Sequence, residues 1–394
     1  MKKNIILIIA ALLITSCSIK SKMVLKMTAG ESQKINGKVS VPFEYVSGHA
    51  LIVKPKLDGN DYHFIFDTGG MSFVDSSLAG KNGLNDLKKI NKDMSLLKVH
   101  DSDLSGAHIK DMNFIVMPFA DTYKMPNTKI YGMIGSNFLA GFNTTIDYQK
   151  GCIELSNPEH LIKKASNSHK LKMTVITPYF PTVKARFNGK SYRAMLDTGL
   201  NFPVVLSVSE IARLNEEQKK KLIPSKGLFC KWPFTQKTEN YYYYAEEIMI
   251  GDMVLRNVPV IFANLPSMIK GNTFLLGKMF LESYKTSLNF KYKEVLLEET
   301  SPSINDISYT TGANIVIKND EFVIAGIWKN SIADRNGLDL TNKIIRLNGK
   351  TAKELTQKEV ADLLYKKTVK DITLELEDNG SIKKLILSKE ILKS

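Results

Sequence analysis

Two segments of this chain end in the same three residues, Asp-Thr-Gly, and each reaches them by the same route. Residues 53–69 read VKPKLDGNDYHFIFDTG and residues 183–199 read VKARFNGKSYRAMLDTG, aligned without a gap. Each copy runs from Val-Lys (Val53, Lys54; Val183, Lys184) through a turn Gly (Gly59, Gly189) and a Tyr (Tyr62, Tyr192) into two apolar residues and the acid. One Asp-Thr-Gly carries little information, since ordinary residue usage gives roughly one chance match in ten chains of this length. Two at the ends of one repeated pattern mark a duplication. Asp67 and Asp197 are therefore candidates for a paired-acid site. Two carboxylates held close cannot both ionise cheaply, so they share a proton and titrate as a pair. The ionised member then takes a proton from water while the protonated member donates to a carbonyl, with no metal, cofactor or covalent nucleophile required.

The elements that must hold these acids repeat as well. Tyr131 to Leu155 and Thr273 to Leu297 each place two apolar residues before a Gly (Met133, Ile134, Gly135; Leu275, Leu276, Gly277). Phe-Leu follows at the same distance in both (Phe138, Leu139; Phe280, Leu281), and an apolar residue (Ile146, Leu288) then opens a strand-like run. Between the landmarks lie short alternating apolar runs broken by turn residues, such as Met249 to Leu255, which predict strands and hairpins.

An Asp-Thr-Gly after an apolar strand, followed by an apolar-apolar-Gly, resembles the retropepsin-like aspartic proteases, and two such units resemble the bilobal, pepsin-type arrangement. The resemblance spans about residues 40 to 300. It implies a mainly β fold of two retropepsin-like β-barrel lobes, 40–160 and 170–299, with Asp67 and Asp197 as the catalytic dyad. It also implies that Thr68 and Thr198 brace the two loops against each other, and that Gly69 and Gly199 let the backbone turn tightly. Two positions depart from the pattern. Gly70 and Leu200 follow the motifs where relatives carry a small Ala, Ser or Thr, and Leu200 brings a branched apolar group toward the acids. The flaps of the family are expected near 88–103 and 226–244. The first holds Leu96, Leu97, Lys98, Val99 and His100 without a tip Gly; the second holds Cys230, Trp232, Phe234 and Tyr241 to Tyr244, with Trp232 either covering substrate or packing.

The chain has 394 residues, 43% of them apolar and 24% charged, enough for two or three globular domains. Lys2 and Lys3 precede the apolar run Ile5 to Leu13, a charged and then apolar leader too short for a stable membrane span. The following Ile14-Thr15-Ser16-Cys17 resembles the bacterial lipobox, in which the Cys is acylated. The reading is a signal peptide over 1–16, lipidation at Cys17 and a tether over 17–39. It places the protein in the bacterial cell envelope, lipid-anchored in the outer membrane and facing the periplasm. The net charge of +14 suits an anionic membrane surface. The Lys residues are scattered and no nucleic-acid motif appears, so nucleic acid is not expected as a partner. Six His residues show no metal-ligand spacing, so no metal is expected. Gly189-Lys190-Ser191 resembles the tail of a phosphate loop but lacks its first Gly. Cys152 and Cys230 either pair in an oxidising compartment or remain two buried thiols.

Thr300-Ser301-Pro302-Ser303 marks a linker where the repeat ends. Glu321 to Lys350 resembles a bacterial-type PDZ domain, carried by Ser331, Ala333, Gly337, Leu338, Ile344, Ile345, Asn348 and Gly349. Gln357 to Lys366 reads as its amphipathic helix, Asp371 to Leu376 and Lys383 to Leu387 as closing strands, and Gly312 falls where a carboxylate-binding loop belongs. This α+β PDZ domain, 306–391, would bind a peptide as an added strand or pack on its own chain. Together these readings give an aspartic endopeptidase acting on peptide or protein substrates, with the PDZ domain recruiting substrate or partner. The alternative is a non-catalytic, peptide-binding lipoprotein scaffold with degenerate lobes.

Overall fold

A computed structural model of the chain describes residues 28, 30–45, 50–90, 95–119, 129–176, 179–230, 239–265, 273–300, 309–366, 368–378 and 380–392. The leader and Cys17, like Trp232 and Phe234, lie outside the described residues. Asp58-Gly59 and Asn188-Gly189 have φ of 45°, 85°, 47° and 74°. Consecutive positive φ values form the tight hairpin turn whose twist matches that of its strands, and Asp, Asn and Gly adopt them most readily. The turns return the chain into the strands that end on the acids, Phe64–Asp67 and Lys190–Asp197. Gly189-Lys190-Ser191 thus belongs to a hairpin.

Each acid-bearing strand pairs in parallel with the downstream strand of its own lobe. Phe64–Asp67 lies on Gly132–Gly135 with Asp67 opposite Gly135, and Lys190–Asp197 lies on Thr273–Gly277 with Asp197 opposite Gly277. The other face of each downstream strand takes an antiparallel partner, Phe73–Asp75 in one lobe and Val204–Ser207 in the other. Those partners run parallel to the long strands Ala107–Met117 and Met253–Ala263. The apolar positions of these strands, with those of the short helices Ser136–Leu139 and Lys278–Leu281 that follow the downstream strands, make one core per lobe. Phe64, Phe66, Phe114 and Phe138 in the first and Leu196, Phe262, Phe274 and Phe280 in the second are all 0% exposed.

The lobes are joined by a six-stranded antiparallel sheet to which each contributes. Its order is Ser168–Lys172, Glu294–Glu299, Tyr284–Asn289, Asn143–Asp147, Cys152–Ser156, Lys38–Pro42. At its centre Thr144 faces Leu288, Ile146 faces Thr286, and the Thr145 and Ser287 hydroxyls bond at 2.7 Å. These pairs relate the two halves by an approximate twofold, so the repeat in sequence is also a repeat in space. Cys152 and Cys230 are both free thiols.

The C-terminal unit has its own core, including Ile324, Leu338, Leu347, Val360, Leu374 and Leu387. Strand Glu321–Trp328 leads to the short helix Ile332–Arg335, whose first turn is capped by the Ser331 hydroxyl accepting from Asp334 N–H. Asn348 and Gly349 turn with positive φ after strand Lys343–Leu347. Helix Gln357–Tyr365 opens on a reciprocal cap between Thr356 and Glu359. Strands Asp371–Asp378 and Ser381–Ser388 close the unit. It is joined to the second lobe by more than the linker: Ile223–Gly227 of that lobe pairs along Glu321–Trp328, so one sheet runs through both. Among the described residues no helix is long and apolar enough to cross a membrane.

Candidate active site

Asp67 and Asp197 end their strands facing each other across the junction of the lobes. The clearest measure is what stands opposite the glycines that follow them. A Cβ on Gly69 would lie 2.5 Å from the Asp197 carboxyl carbon, and a Cβ on Gly199 would lie 2.5 Å from an Asp67 carboxyl oxygen. Both glycines sit in the tight turns expected from the sequence, closed by Gly70 N–H to Asp67 O at 3.3 Å and Leu200 N–H to Asp197 O at 3.4 Å. Since neither has a positive φ, what requires Gly there is room for the facing carboxylate. Each acid also accepts from its own loop, Gly69 N–H to Asp67 Oδ1 at 2.7 Å and Gly199 N–H to Asp197 Oδ1 at 3.0 Å.

The two threonines bind the loops to each other. Thr68 N–H donates to Thr198 Oγ1 at 3.1 Å, and Thr198 N–H donates to Thr68 Oγ1 at 3.1 Å. Each hydroxyl then donates onward to the other lobe's strand, Thr68 to Leu196 O at 2.7 Å and Thr198 to Phe66 O at 3.1 Å. Both threonines are fully enclosed, at 1% and 0% exposure. Four satisfied buried bonds of this kind hold a unique geometry, because any shift orphans several polar groups at once.

The carboxyls are within hydrogen-bonding reach of each other. Burial pushes Asp197 well above the ordinary carboxylate range, and the charge of Asp67 adds to the effect. Burial also raises Asp67, against the N–H groups of Gly69, Gly199 and Gly70 that favour its ionised form. The pair therefore retains a shared proton at a pH where an ordinary Asp is ionised.

The departures from the family pattern have physical counterparts. A Cβ on Gly70 would meet Met133 Sδ at 2.5 Å and Asp67 Oδ2 at 2.9 Å, so Met133 takes the room that a small side chain would use. Leu200 is buried in an apolar cluster with Met71, Met195 and Leu275. Hairpins stand at both expected flap positions, Leu87–Lys89 with Ser95–Leu104 and Ile223–Gly227 with Asn240–Ile250. Leu96 of the first and Ile223, Cys230 and Tyr242 of the second pack into the same cluster as Leu200. The Cys230 thiol is pushed up to about 12 by burial and then by the charge of Asp197, which makes it an unreactive wall group beside the dyad.

Sequence reasoning did not single out Ser72 and Asn137. Ser72 N–H donates to Asn137 Oδ1 at 2.7 Å, and Gly135 N–H donates to Ser72 Oγ at 2.9 Å, which ties the first acid loop to its downstream strand. The repeat could not reveal them, because the equivalent positions in the second copy are Phe202 and Met279. There Gly277 N–H donates to a backbone acceptor instead, Pro203 O at 3.0 Å, while Lys278 N–H to Leu200 O at 2.6 Å repeats the Ser136 N–H to Gly70 O bond of the first lobe. Among the described residues, no group of three or more His, Cys, Asp or Glu is arranged to hold a metal.

The mainly β architecture, with its barrel-like lobes and shared sheet, is of the aspartic-protease kind. Residues 183–280 match the model of a family described as aspartyl protease, a span that includes Asp197, Thr198, Gly199 and Gly277. No curated protein matches the chain. The match supports an aspartyl-protease-type domain in this part of the chain and, at that coarse level, a protease function.

Proposed function

We propose that the chain is an aspartic endopeptidase in which Asp67 and Asp197 form the catalytic dyad, supported by Thr68, Gly69, Thr198 and Gly199. The observation that carries this reading is the reciprocal Thr68–Thr198 lock beneath two carboxyls in mutual hydrogen-bonding reach. In the singly protonated pair, the ionised carboxyl takes a proton from water as the oxygen attacks the scissile carbonyl carbon. The protonated carboxyl donates to the carbonyl oxygen, and collapse of the tetrahedral intermediate passes a proton to the leaving amine. Burial of the dyad supports this chemistry, since it keeps the shared proton in place and strengthens each electrostatic contact.

The C-terminal unit is proposed to be a PDZ-type domain that presents a peptide to the lobes. Its elements follow the expected order, and Gly312, at φ 81°, sits so close to Ser331 that a Cβ would lie 2.0 Å from that side chain. A peptide would add along Ala313–Lys318 beside helix Gln357–Tyr365. Gln357 Oε1 already accepts from Ile317 N–H at 2.7 Å, so a ligand would enter from the Gly312 end. The leader and Cys17 are proposed to anchor the protein by acyl chains at the outer membrane, facing the periplasm.

The deciding experiment incubates the protein with a diverse peptide library beside an Asp67→Asn control. Cleavage by the wild type and none by the control supports the reading; intact peptides with both would favour the non-catalytic scaffold.

A further inference from the structure

We propose that the C-terminal unit is a positioning part of the active cleft, because Trp328 and the strand that carries it hold the second lobe's cleft hairpin in place. The proposal rests on the protease reading for its catalytic consequence and on geometry alone for the rest.

The seam between the units is built at close quarters. Ser225 pairs with Trp328, Lys226 with Ile327 and Gly227 with Gly326. The Gly227–Gly326 pair leaves no room for a side chain on either strand. A Cβ on Gly227, itself at φ 72°, would lie 2.3 Å from Ala325 O, and one on Gly326 would lie 2.7 Å from Leu228 O and 2.9 Å from the Phe229 ring. Backbone bonds continue past the pair on both sides, Leu228 N–H to Ala325 O at 2.6 Å and Lys329 N–H to Pro224 O at 2.9 Å. Asn314 adds a side-chain bond to Leu228 O at 3.0 Å. A contact that excludes even a methyl group on both sides is a fitted interface, not a loose encounter.

Trp328 then reaches beyond the seam. Its ring stacks on Phe229 with centroids 3.9 Å apart and planes 15° apart, and it also touches Tyr242 on the returning strand of the hairpin. Phe229 and Cys230 are held in turn by Asn240, whose Oδ1 accepts from both of their N–H groups at 2.8 Å. Trp328, at 3% exposure, shares an apolar cluster with Met195 and Leu200, which flank Asp197. The path from Trp328 through Phe229 and Cys230 to the wall beside Asp197 is therefore continuous packing. The hairpin that closes the second lobe's side of the cleft has the C-terminal unit as its outer support.

The experiment uses the full chain and reads two quantities, amide hydrogen exchange and peptide turnover. Trp328→Ala and Gly326→Ala are each expected to speed exchange at residues 223–230 and 240–244 by about tenfold or more. The far end of the first lobe's hairpin, residues 101–104 with 107–110, whose apolar side chains sit in that lobe's own core, should be unchanged. With any cleaved peptide, KM should rise about tenfold with the shape of the pH profile retained, and Trp328→Phe should restore most of both losses. Should either variant lose protection throughout the chain, Lys226→Glu decides the matter. It reverses a surface pairing with Asp334 at 3.1 Å and should loosen the same amides with the fold intact. Unchanged exchange at 223–230 in these variants would overturn the proposal, whatever the turnover. A wild type that cuts nothing, with exchange responding as expected, would instead sink the protease reading and leave the seam's role standing.

Discussion

Thr68 and Thr198 each donate a backbone N–H to the other's hydroxyl at 3.1 Å, at the junction where the two lobes bring their acids together. The relation is symmetric, so neither loop can be repositioned without releasing the other. Replacing one threonine by Ala leaves the opposite N–H without its acceptor and the opposite strand's carbonyl without its donor. Thr68→Ala and Thr198→Ala are each expected to cost about 1–3 kcal/mol in urea unfolding, since buried unpaired groups carry that penalty, and to lower turnover sharply. Thr→Ser at either position should recover most of the loss; equal damage from Ser and Ala would mean that packing of the methyl group, not the hydrogen bonds, is what matters.

The raised acids give a signed pH dependence. A carboxyl whose folded pKa lies above its ordinary value of 3.8 binds more protons in the native state than in the unfolded one. Stability from this group is thus present at low pH and declines as pH rises from near 3.8 through the raised folded pKa. Asp197→Asn removes that decline, so the variant should gain stability relative to wild type as the pH is raised from 3 to 7 in paired unfolding titrations. Turnover should fall by roughly 100- to 10,000-fold or more in Asp67→Asn and Asp197→Asn alike. The wild-type rate should follow a bell-shaped pH profile whose upper limb is displaced toward neutrality. A relative stability that is flat with pH would show the dyad to be solvated.

Gly135 and Gly277 stand directly opposite the acids, each against the loop that follows its motif. A Cβ on Gly135 would lie 2.4 Å from the Met71 carbonyl carbon, and one on Gly277 would lie 2.0 Å from Phe202 O. Backbone atoms cannot yield as a flexible side chain can, so Gly135→Ala and Gly277→Ala should each destabilise by about 1–3 kcal/mol. Each should also cost activity beyond the stability loss, through displacement of the acid loop. Denaturant midpoints and turnover measured on the folded fraction separate the two effects.

A chain ending at residue 300 keeps both acids and the shared sheet, but it uncovers the edge of Ile223–Gly227 and the face of Phe229 that Trp328 covers. An unpaired edge strand beside an exposed aromatic invites association. The truncated protein is expected to form oligomers on size-exclusion chromatography and to melt at a lower temperature than the full chain. A monodisperse truncation with an unchanged melting point would show that the seam adds no stability to the lobes.

Cys17→Ser should release the protein from membranes. Each buried CH₂ of an acyl chain contributes about 0.8 kcal/mol, so several chains together hold firmly, whereas attraction of the basic surface is screened by salt. Fractionation after a high-salt wash reads the acyl contribution alone. A Cys17→Ser protein that stays in the washed pellet would point to an uncleaved leader or a protein partner as the anchor.

The two copies of Asp-Thr-Gly, their hairpin turns at Asp58-Gly59 and Asn188-Gly189, and the Gly135 and Gly277 landmarks could be found in the sequence for a common reason. Each restricts the residue type at single positions, through a positive φ or through lack of room for a Cβ, and the restriction recurs wherever the fold is repeated. The brace of Ser72 and Asn137 escaped because only one lobe has it. The turns at Gly69 and Gly199 were legible, but not that each glycine also leaves room for a carboxylate from the other lobe. The Gly227–Gly326 seam could not be read at all, because its partners lie far apart in the chain and nothing in either segment announces the other. The sequence by itself determined the repeated β units, the order of the elements and the residues at the ends of the acid strands, because turn geometry and alternating burial act between near neighbours. Only the tertiary structure decided how the carboxyls share a proton, how the threonines lock, and which strand the C-terminal unit grips. Those depend on distances and desolvation across the lobes, which exist only once remote segments have packed.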